Sequence, residues 1–151
     1  MDWYPLAAFA HVIAAIIAVG TNLTYVLWLR LAGRDRSRLA FAIGGIRYLD
    51  RRLAIPSYAV LLVSGLAMIL SGRWSVRALW LEIAFALFVG LTYVGIVVFA
   101  PAIRRLLAAA EADPRSANYA HEARFTRLLF VISSGLLLAI VALMVFKPVM
   151  S

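Results

Sequence analysis

The fold class is decided by residues 6–29, which read LAAFAHVIAAIIAVGTNLTYVLWL. This stretch has 24 residues and contains no Asp, Glu, Lys or Arg. Because an α-helix rises about 1.5 Å per residue, the stretch is long enough to cross a hydrocarbon core of about 30 Å. A signal peptide is a poorer interpretation, since residues 1–4 are not basic and the apolar run is too long for one. We therefore expect a membrane-spanning helix here.

Three further apolar stretches have the same character, at residues 53–71, 78–100 and 128–146. Across all four stretches, Glu82 is the only formally charged residue. The composition agrees, with 65% hydrophobic residues, 15% charged residues and a mean hydropathy of +0.95, which excludes disorder and an ordinary soluble enzyme. The absence of cysteine excludes disulfides and thiolate chemistry. The sequence predicts an all-α integral membrane four-helix bundle, with residues 1–151 forming a single domain.

Most of the positive charge lies in two connections between the spans. Residues 30–52 hold seven arginines and residues 101–127 hold five, out of 15 basic residues in the chain. Because cytoplasmic loops carry an excess of Lys and Arg, both connections are predicted to be cytoplasmic and both termini to lie outside. Contact with anionic headgroups, and not nucleic acid binding, then explains most of the net charge of +8. The predicted location is a bacterial inner membrane, crossed several times.

The two long connections also contain helical patterns. Residues 39–53 have apolar side chains at helical spacing, which predicts a short helix lying at the cytoplasmic interface. Residues 108–112 are expected to extend the third span until Asp113 and Pro114 end it.

Ionisable side chains inside the apolar stretches indicate a candidate site, because placing such groups in a membrane has a high free-energy cost. His11 is expected about 7–8 Å below the outer boundary, and Glu82 at about 6 Å. On the same helical faces, Asn22 and Tyr93 lie deeper, at nearly equal levels. If the two faces oppose each other, they form an outer His11/Glu82 pair and an inner Asn22/Tyr93 pair.

A single histidine beside the small residues 14, 15 and 18 fits a heme iron best, although ordinary helix packing explains the same pattern. Arg73 and Arg77 are candidates for binding heme propionates from the outer side. Met68 and Met144 are weak candidates for a second ligand. His121 lies in the third connection and is expected to be a solvated residue on the cytoplasmic side.

Five motifs follow one another along the chain: His11, the run Tyr48-Leu49-Asp50-Arg51-Arg52-Leu53 with Pro56, Trp80-Leu81-Glu82, Arg124-Phe125-Thr126-Arg127, and Phe146-Lys147-Pro148. Their order resembles that of the HemJ-type protoporphyrinogen oxidases. The resemblance covers roughly residues 8–148 and also extends to CopD-like copper-resistance membrane domains and to a family of small bacterial four-helix membrane proteins of unknown function.

The HemJ resemblance implies heme b bound through the helix-one histidine, which His11 matches. It also implies a lysine in the third span, but that place is taken by Ala84, and Glu82 stands where the family has a histidine. These two departures leave the predicted fold unchanged, but they weaken the assignment of porphyrinogen oxidation. The sequence leaves open whether the protein is a heme-dependent oxidoreductase.

Three functions therefore compete at this point. The first is a b-type heme protein with a redox or sensing role, in which Glu82 orients the imidazole or accepts a proton. The second is a non-enzymatic structural or assembly protein whose polar groups specify helix packing. The third is a copper- or proton-handling protein that uses His11 with methionine thioethers. A homodimer is also expected, since Gly65, Gly90 and Gly95 permit close contacts between helices.

Overall fold

The computed structural model describes residues 2–33, 35–72 and 78–147, and this part of the chain is helical throughout, without strands. It contains six α-helices and two short π-helical turns. The α-helices are α1 (Tyr4–Ala32), α2 (Arg36–Leu49), α3 (Ile55–Leu70), α4 (Leu79–Val94), α5 (Ala100–Ala112) and α6 (Ala117–Phe146). The π-helical turns are Asp50–Ala54, between α2 and α3, and Gly95–Phe99, between α4 and α5.

Four continuous helical segments are long and apolar enough to cross a membrane: Tyr4–Ala32, Ser37–Leu70, Leu79–Ala112 and Ala117–Phe146. The prediction of four spans is therefore confirmed. The two middle segments have 34 residues each, or about 51 Å of helix, which exceeds the apolar thickness of a bilayer. Each therefore continues beyond the hydrocarbon core, so that much of the two predicted connections is helical.

Prolines explain the π-helical turns inside these long segments. A proline has no N–H and its ring clashes with the carbonyl four residues earlier, so an unmodified α-helix cannot accommodate it. Pro56 and Pro101 each follow one of the turns. Immediately before them, the N–H groups of Ile55 and Ala100 bond to carbonyls five residues back. The wider turn keeps the segment continuous where a sharp kink is otherwise expected.

The first connection contains the predicted helix, now α2, which continues through the π-helical turn Asp50–Ala54 into α3. Its apolar stripe is fully buried in the cluster that α2 forms with α1 and α5. The stripe consists of Leu39, Ala42, Ile43 and Ile46. Because this stripe has protein neighbours, α2 packs into the end of the bundle and does not need the lipid interface to cover it.

Asp35 begins α2 as its N-cap. Its carboxylate accepts hydrogen bonds from the backbone N–H groups of Ser37 and Arg38 and from the Ser37 hydroxyl. These bonds, chiefly the one from the Ser37 side chain, lower the pKa of the Asp35 carboxyl. The exposed Asp35 within the first long connection thus has a structural role as the N-cap of α2.

The largest buried side chains lie at the arginine-rich end of the bundle. Tyr25, Phe99 and Phe130 form an aromatic cluster there, with ring centroids 4.9–6.2 Å apart. Toward the other end, the helices expose large apolar side chains, among them Leu6, Leu70 and Phe146. Lipid covers such side chains in a membrane, so the enclosed protein core is concentrated at one end.

The topology is a first testable prediction. Reporter fusions at Ser37 and at Ser151 are expected to lie in opposite compartments, with Ser37 in the cytoplasm, because of the uneven distribution of arginine. Alkaline phosphatase and green fluorescent protein fusions report the two sides. The same compartment for both sites would contradict the four-span arrangement.

Candidate functional site

The His11 imidazole lies against α3, in the half of the bundle that is predicted to be outermost. Its Nδ1 is 2.9 Å from the Ser64 hydroxyl oxygen. The Ser64 hydroxyl also donates to the Val60 carbonyl, four residues back on its own helix. Since a serine hydroxyl has one proton, Ser64 accepts at the other bond, and His11 donates from Nδ1–H. The neutral ring then has its unprotonated nitrogen at Nε2.

Gly65 makes room for this ring. A Cβ placed on Gly65 would lie 3.2 Å from His11 Cε1 and 3.6 Å from Nδ1. A side chain at this position would press on the ring, because 3.2 Å is shorter than a normal carbon–carbon contact. The pair Ser64-Gly65 therefore supplies both the hydrogen bond and the space that fix the orientation of His11.

A second polar layer lies deeper, around Asn22. The Asn22 side-chain oxygen accepts a hydrogen bond of 2.9 Å from the Ser134 hydroxyl on α6. The Tyr58 side chain on α3 also lies close to Asn22. Asn22 is buried, so the bond from Ser134 gives a partner to a side-chain oxygen whose burial would otherwise have a high free-energy cost. The layer joins α1, α3 and α6.

A third polar contact lies at the arginine-rich end. The Tyr25 hydroxyl donates to the Asp50 carboxylate at 3.3 Å, while the Tyr25 ring packs in the aromatic cluster. Asp50 is the first residue of the π-helical turn before α3. Together with the two layers above, this contact gives α1 polar partners at residues 11, 22 and 25, over about 21 Å of helix.

The predicted opposition of α1 and α4 is not what the structure shows. In the packing, α1 lies chiefly against α3 and also against α2 and α6, whereas α4 packs on α6. Glu82 is exposed at the start of α4, and Tyr93 is 63% exposed. The His11/Glu82 and Asn22/Tyr93 pairs are therefore not formed. Equal depth follows from the helical rise, but depth does not determine which helices are neighbours.

The alanine face of α1 is closed. Ala14 and Ala18 are buried against Leu61 of α3, with Tyr58 and Phe88 packed beside them. Of the two alternatives for this face, close helix contact is the one that the structure supports. The expectation that residues 14 and 18 make space for a porphyrin is wrong, because α3 fills that space.

The remaining predicted residues are spread over the molecule. Met68 lies one helical turn beyond Ser64 on α3, whereas Met144 packs with Ala84 and Ile140 between α4 and α6. His121 is exposed near the start of α6, as expected. Arg73 and Arg77, the predicted partners of heme propionates, lie outside the described residues.

Sequence reasoning missed Ser64, Ser134 and Tyr58. It named Gly65 only for contact between helices of a dimer and Asp50 only as part of a family motif. Neutral small polar residues are common in membrane helices, so they do not stand out as His11 does. A usable signal for Ser64 was present, since Ser57 and Ser64 are seven residues apart and so lie on one helical face. Both serines are buried. Within the described ranges, three or more His, Asp or Glu side chains nowhere come together as a metal-binding group.

Comparison with known proteins gives a family but no function. No curated protein and no solved structure matches the chain. One family model matches residues 5–148, and its description is "Predicted integral membrane protein (DUF2269)". The resemblance to HemJ-type and CopD-like proteins receives no support from this match and stays a prediction. With nearly its whole length matched and four helices long enough to cross a bilayer, the chain belongs to the DUF2269 family of integral membrane proteins.

Proposed function

We propose that this multi-pass protein lies in the bacterial inner membrane and binds a b-type heme through His11, in a redox or sensing role. The observation that carries the proposal is the state of the imidazole. Ser64 accepts from Nδ1–H, so the lone pair that a heme iron requires is left at Nε2. Histidines that bind metals are commonly held in this way by a partner at the second ring nitrogen.

The residues present fit the donor atom that heme needs, and they limit where the porphyrin lies. The contact of Ala14 and Ala18 with α3 excludes that face. His11 itself is only partly buried, so its ring is not sealed within the protein. When bound, the heme would supply one-electron redox chemistry. The chain would contribute the His11 imidazole as a ligand, and Ser64 and Gly65 hold the orientation of that ring.

The predicted roles of other residues change accordingly. Ser64 takes the orienting role that the sequence suggested for Glu82, because Ser64 contacts the second ring nitrogen. Ala84, at the place of the HemJ lysine, is buried among apolar side chains of α4 and α6. The proposal therefore does not include porphyrinogen oxidation. Any enzymatic activity would be that of a heme-dependent oxidoreductase.

The experiment compares heme content in wild type, His11→Ala and His121→Ala, each purified after expression with added heme precursor. The absorbance spectrum is expected to show a Soret band in wild type and His121→Ala and to lose it in His11→Ala. His121→Ala is the matched control, because it removes the exposed histidine at the other end. Equal heme in all three proteins would contradict the proposal. Loss in His121→Ala alone would move the site to the cytoplasmic side.

The alternative of a structural or assembly role is favoured by a specific observation. The His11–Ser64 and Asn22–Ser134 bonds each join two helices, as expected of polar groups that specify packing. On this alternative, His11→Ala lowers thermal stability and no variant contains heme. The copper alternative loses Met144, which packs between α4 and α6, but keeps Met68, which lies one helical turn beyond Ser64 on the helix that His11 contacts. Metal analysis of the same preparations tests it.

We also propose a homodimer. A Cβ added to Gly90 or to Gly95 would meet no atom of another helix within 4 Å, so a second copy has room for a close approach there. Gly65 does not contribute to this argument, since His11 occupies its open side. Mass measurement of the purified protein in mild detergent reads the oligomeric state.

A further inference from the structure

A pocket of about 580 Å³ opens at the arginine-rich end of the bundle, far from His11. It lies between the last turns of α1, the connection from α5 to α6 and the first part of α6. This volume falls in the range of pockets that take small molecules or lipid headgroups. The candidate site described above does not use it.

Four arginines line this pocket: Arg30, Arg115, Arg124 and Arg127. Among the described residues, none of them forms an ion pair with a carboxylate, and no Asp or Glu lines the pocket. Nearby Glu122 is paired with Arg105 at 3.3 Å, and Asp113 accepts from the backbone N–H of Arg115. The positive charge of the pocket is therefore not balanced by these carboxylates.

The same pocket has an apolar wall. The partly buried Val26 and Leu29 of α1 and Ala123 of α6 contribute to its lining, and the fully buried Leu106 and Phe130 border it. Arg30 follows directly on the apolar stretch 6–29, and Arg127 directly precedes 128–146. The arginines therefore lie at the level where the hydrocarbon core ends, and the apolar wall begins below them.

We propose that this pocket binds the phosphate-bearing headgroup of an anionic glycerophospholipid. A guanidinium group can bind a phosphate through two parallel N–H···O bonds, and four of these groups line this space. The apolar wall accommodates the start of an acyl chain, which a free phosphate ion lacks. Basic pockets between membrane helices on the cytoplasmic side are typical sites for anionic lipids.

The test uses the full-length protein in a neutral detergent, with native mass spectrometry to measure bound lipid. The probes are short-chain phosphatidylglycerol, short-chain phosphatidylcholine and inorganic phosphate. Wild type is expected to bind phosphatidylglycerol more tightly than either of the other two. The Arg124→Gln/Arg127→Gln protein is expected to bind phosphatidylglycerol about 30-fold more weakly, as the loss of two arginines near a lipid surface implies.

The matched control is Arg51→Gln/Arg104→Gln, which removes the same charge from two exposed arginines outside the pocket. It is expected to keep the affinity of wild type. A second variant, Ala120→Trp, fills the pocket and retains all four arginines, so it tests the site even if the double variant does not fold. It is expected to lose phosphatidylglycerol.

Three results would overturn the proposal. Equal weakening in the control protein would assign the effect to general surface charge. Equal binding of phosphatidylcholine would remove the role of the anionic headgroup. Equally tight binding of inorganic phosphate would identify a site for a soluble anion and not for a lipid.

Discussion

Replacing Phe130 with alanine is expected to lower the free energy of unfolding by about 3 kcal/mol. Phe130 is completely buried, and its ring centroid lies 4.9 Å from that of Phe99 and 5.3 Å from that of Tyr25. Truncation leaves a cavity among rings that cannot all move to fill it. The expected value lies at the lower end of the range for soluble proteins, because lipid is itself apolar and the transfer term is reduced.

The matched control for this variant is Phe85→Ala. Phe85 lies on α4 and is 55% exposed, so its ring contacts mainly lipid in a membrane. Its truncation is expected to change the free energy of unfolding by less than about 0.5 kcal/mol. Titration with a denaturing detergent, followed by circular dichroism, measures both variants. Equal losses would show that the aromatic cluster is not the stabilising core of the bundle.

The four spans were predictable because they depend on length and hydropathy alone. A run of about 20 apolar residues leaves the backbone no alternative to a helix in a bilayer. The end of α5 at Ala112 was predictable for a local reason too, since Asp113 and Pro114 stop the helix. In such cases the information is contained within a few neighbouring residues.

The candidate site was predictable only in part. His11 stood out because an ionisable group in an apolar stretch is rare. Its partner Ser64 did not stand out, because a serine is neutral. Whether α1 packs against α3 or α4 also depends on how all the helices pack. Glu82 was assigned to the pair through its charge and depth, yet it is exposed. Pairing between helices is a tertiary property that periodicity does not encode.

The neighbours of α2 could not be predicted from the sequence for a similar reason. The apolar stripe at residues 39–46 correctly indicated a helix with one buried face, but a stripe does not reveal what covers it. Lipid headgroups and a protein helix are equivalent at that level. The continuation of α4 into α5, across the π-helical turn Gly95–Phe99, brings α5 to this stripe, which α1 also contacts.

Replacing Gly65 with valine is expected to destabilise the protein by about 1–3 kcal/mol, as overpacking of a close contact does. The new side chain begins 3.2 Å from His11 Cε1, and a helix backbone gives it little freedom to move away. The ring must then shift, and its bond to Ser64 breaks. If His11 binds heme as proposed, the heme content is also expected to fall, because the ring loses the hydrogen bond that orients it.

A double-mutant cycle separates the contact with the His11 ring from a general effect of valine in the helix. In a His11→Ala background the ring is absent, so Gly65→Val is expected to cost much less than in wild type, which gives a coupling energy of opposite sign to the single losses. Gly135→Val is the matched control, since nothing lies within 4 Å of a Cβ there. Thermal unfolding in detergent measures the four proteins of the cycle and this control. Additive effects of His11→Ala and Gly65→Val would contradict the contact, because the coupling energy of two residues that do not touch is close to zero.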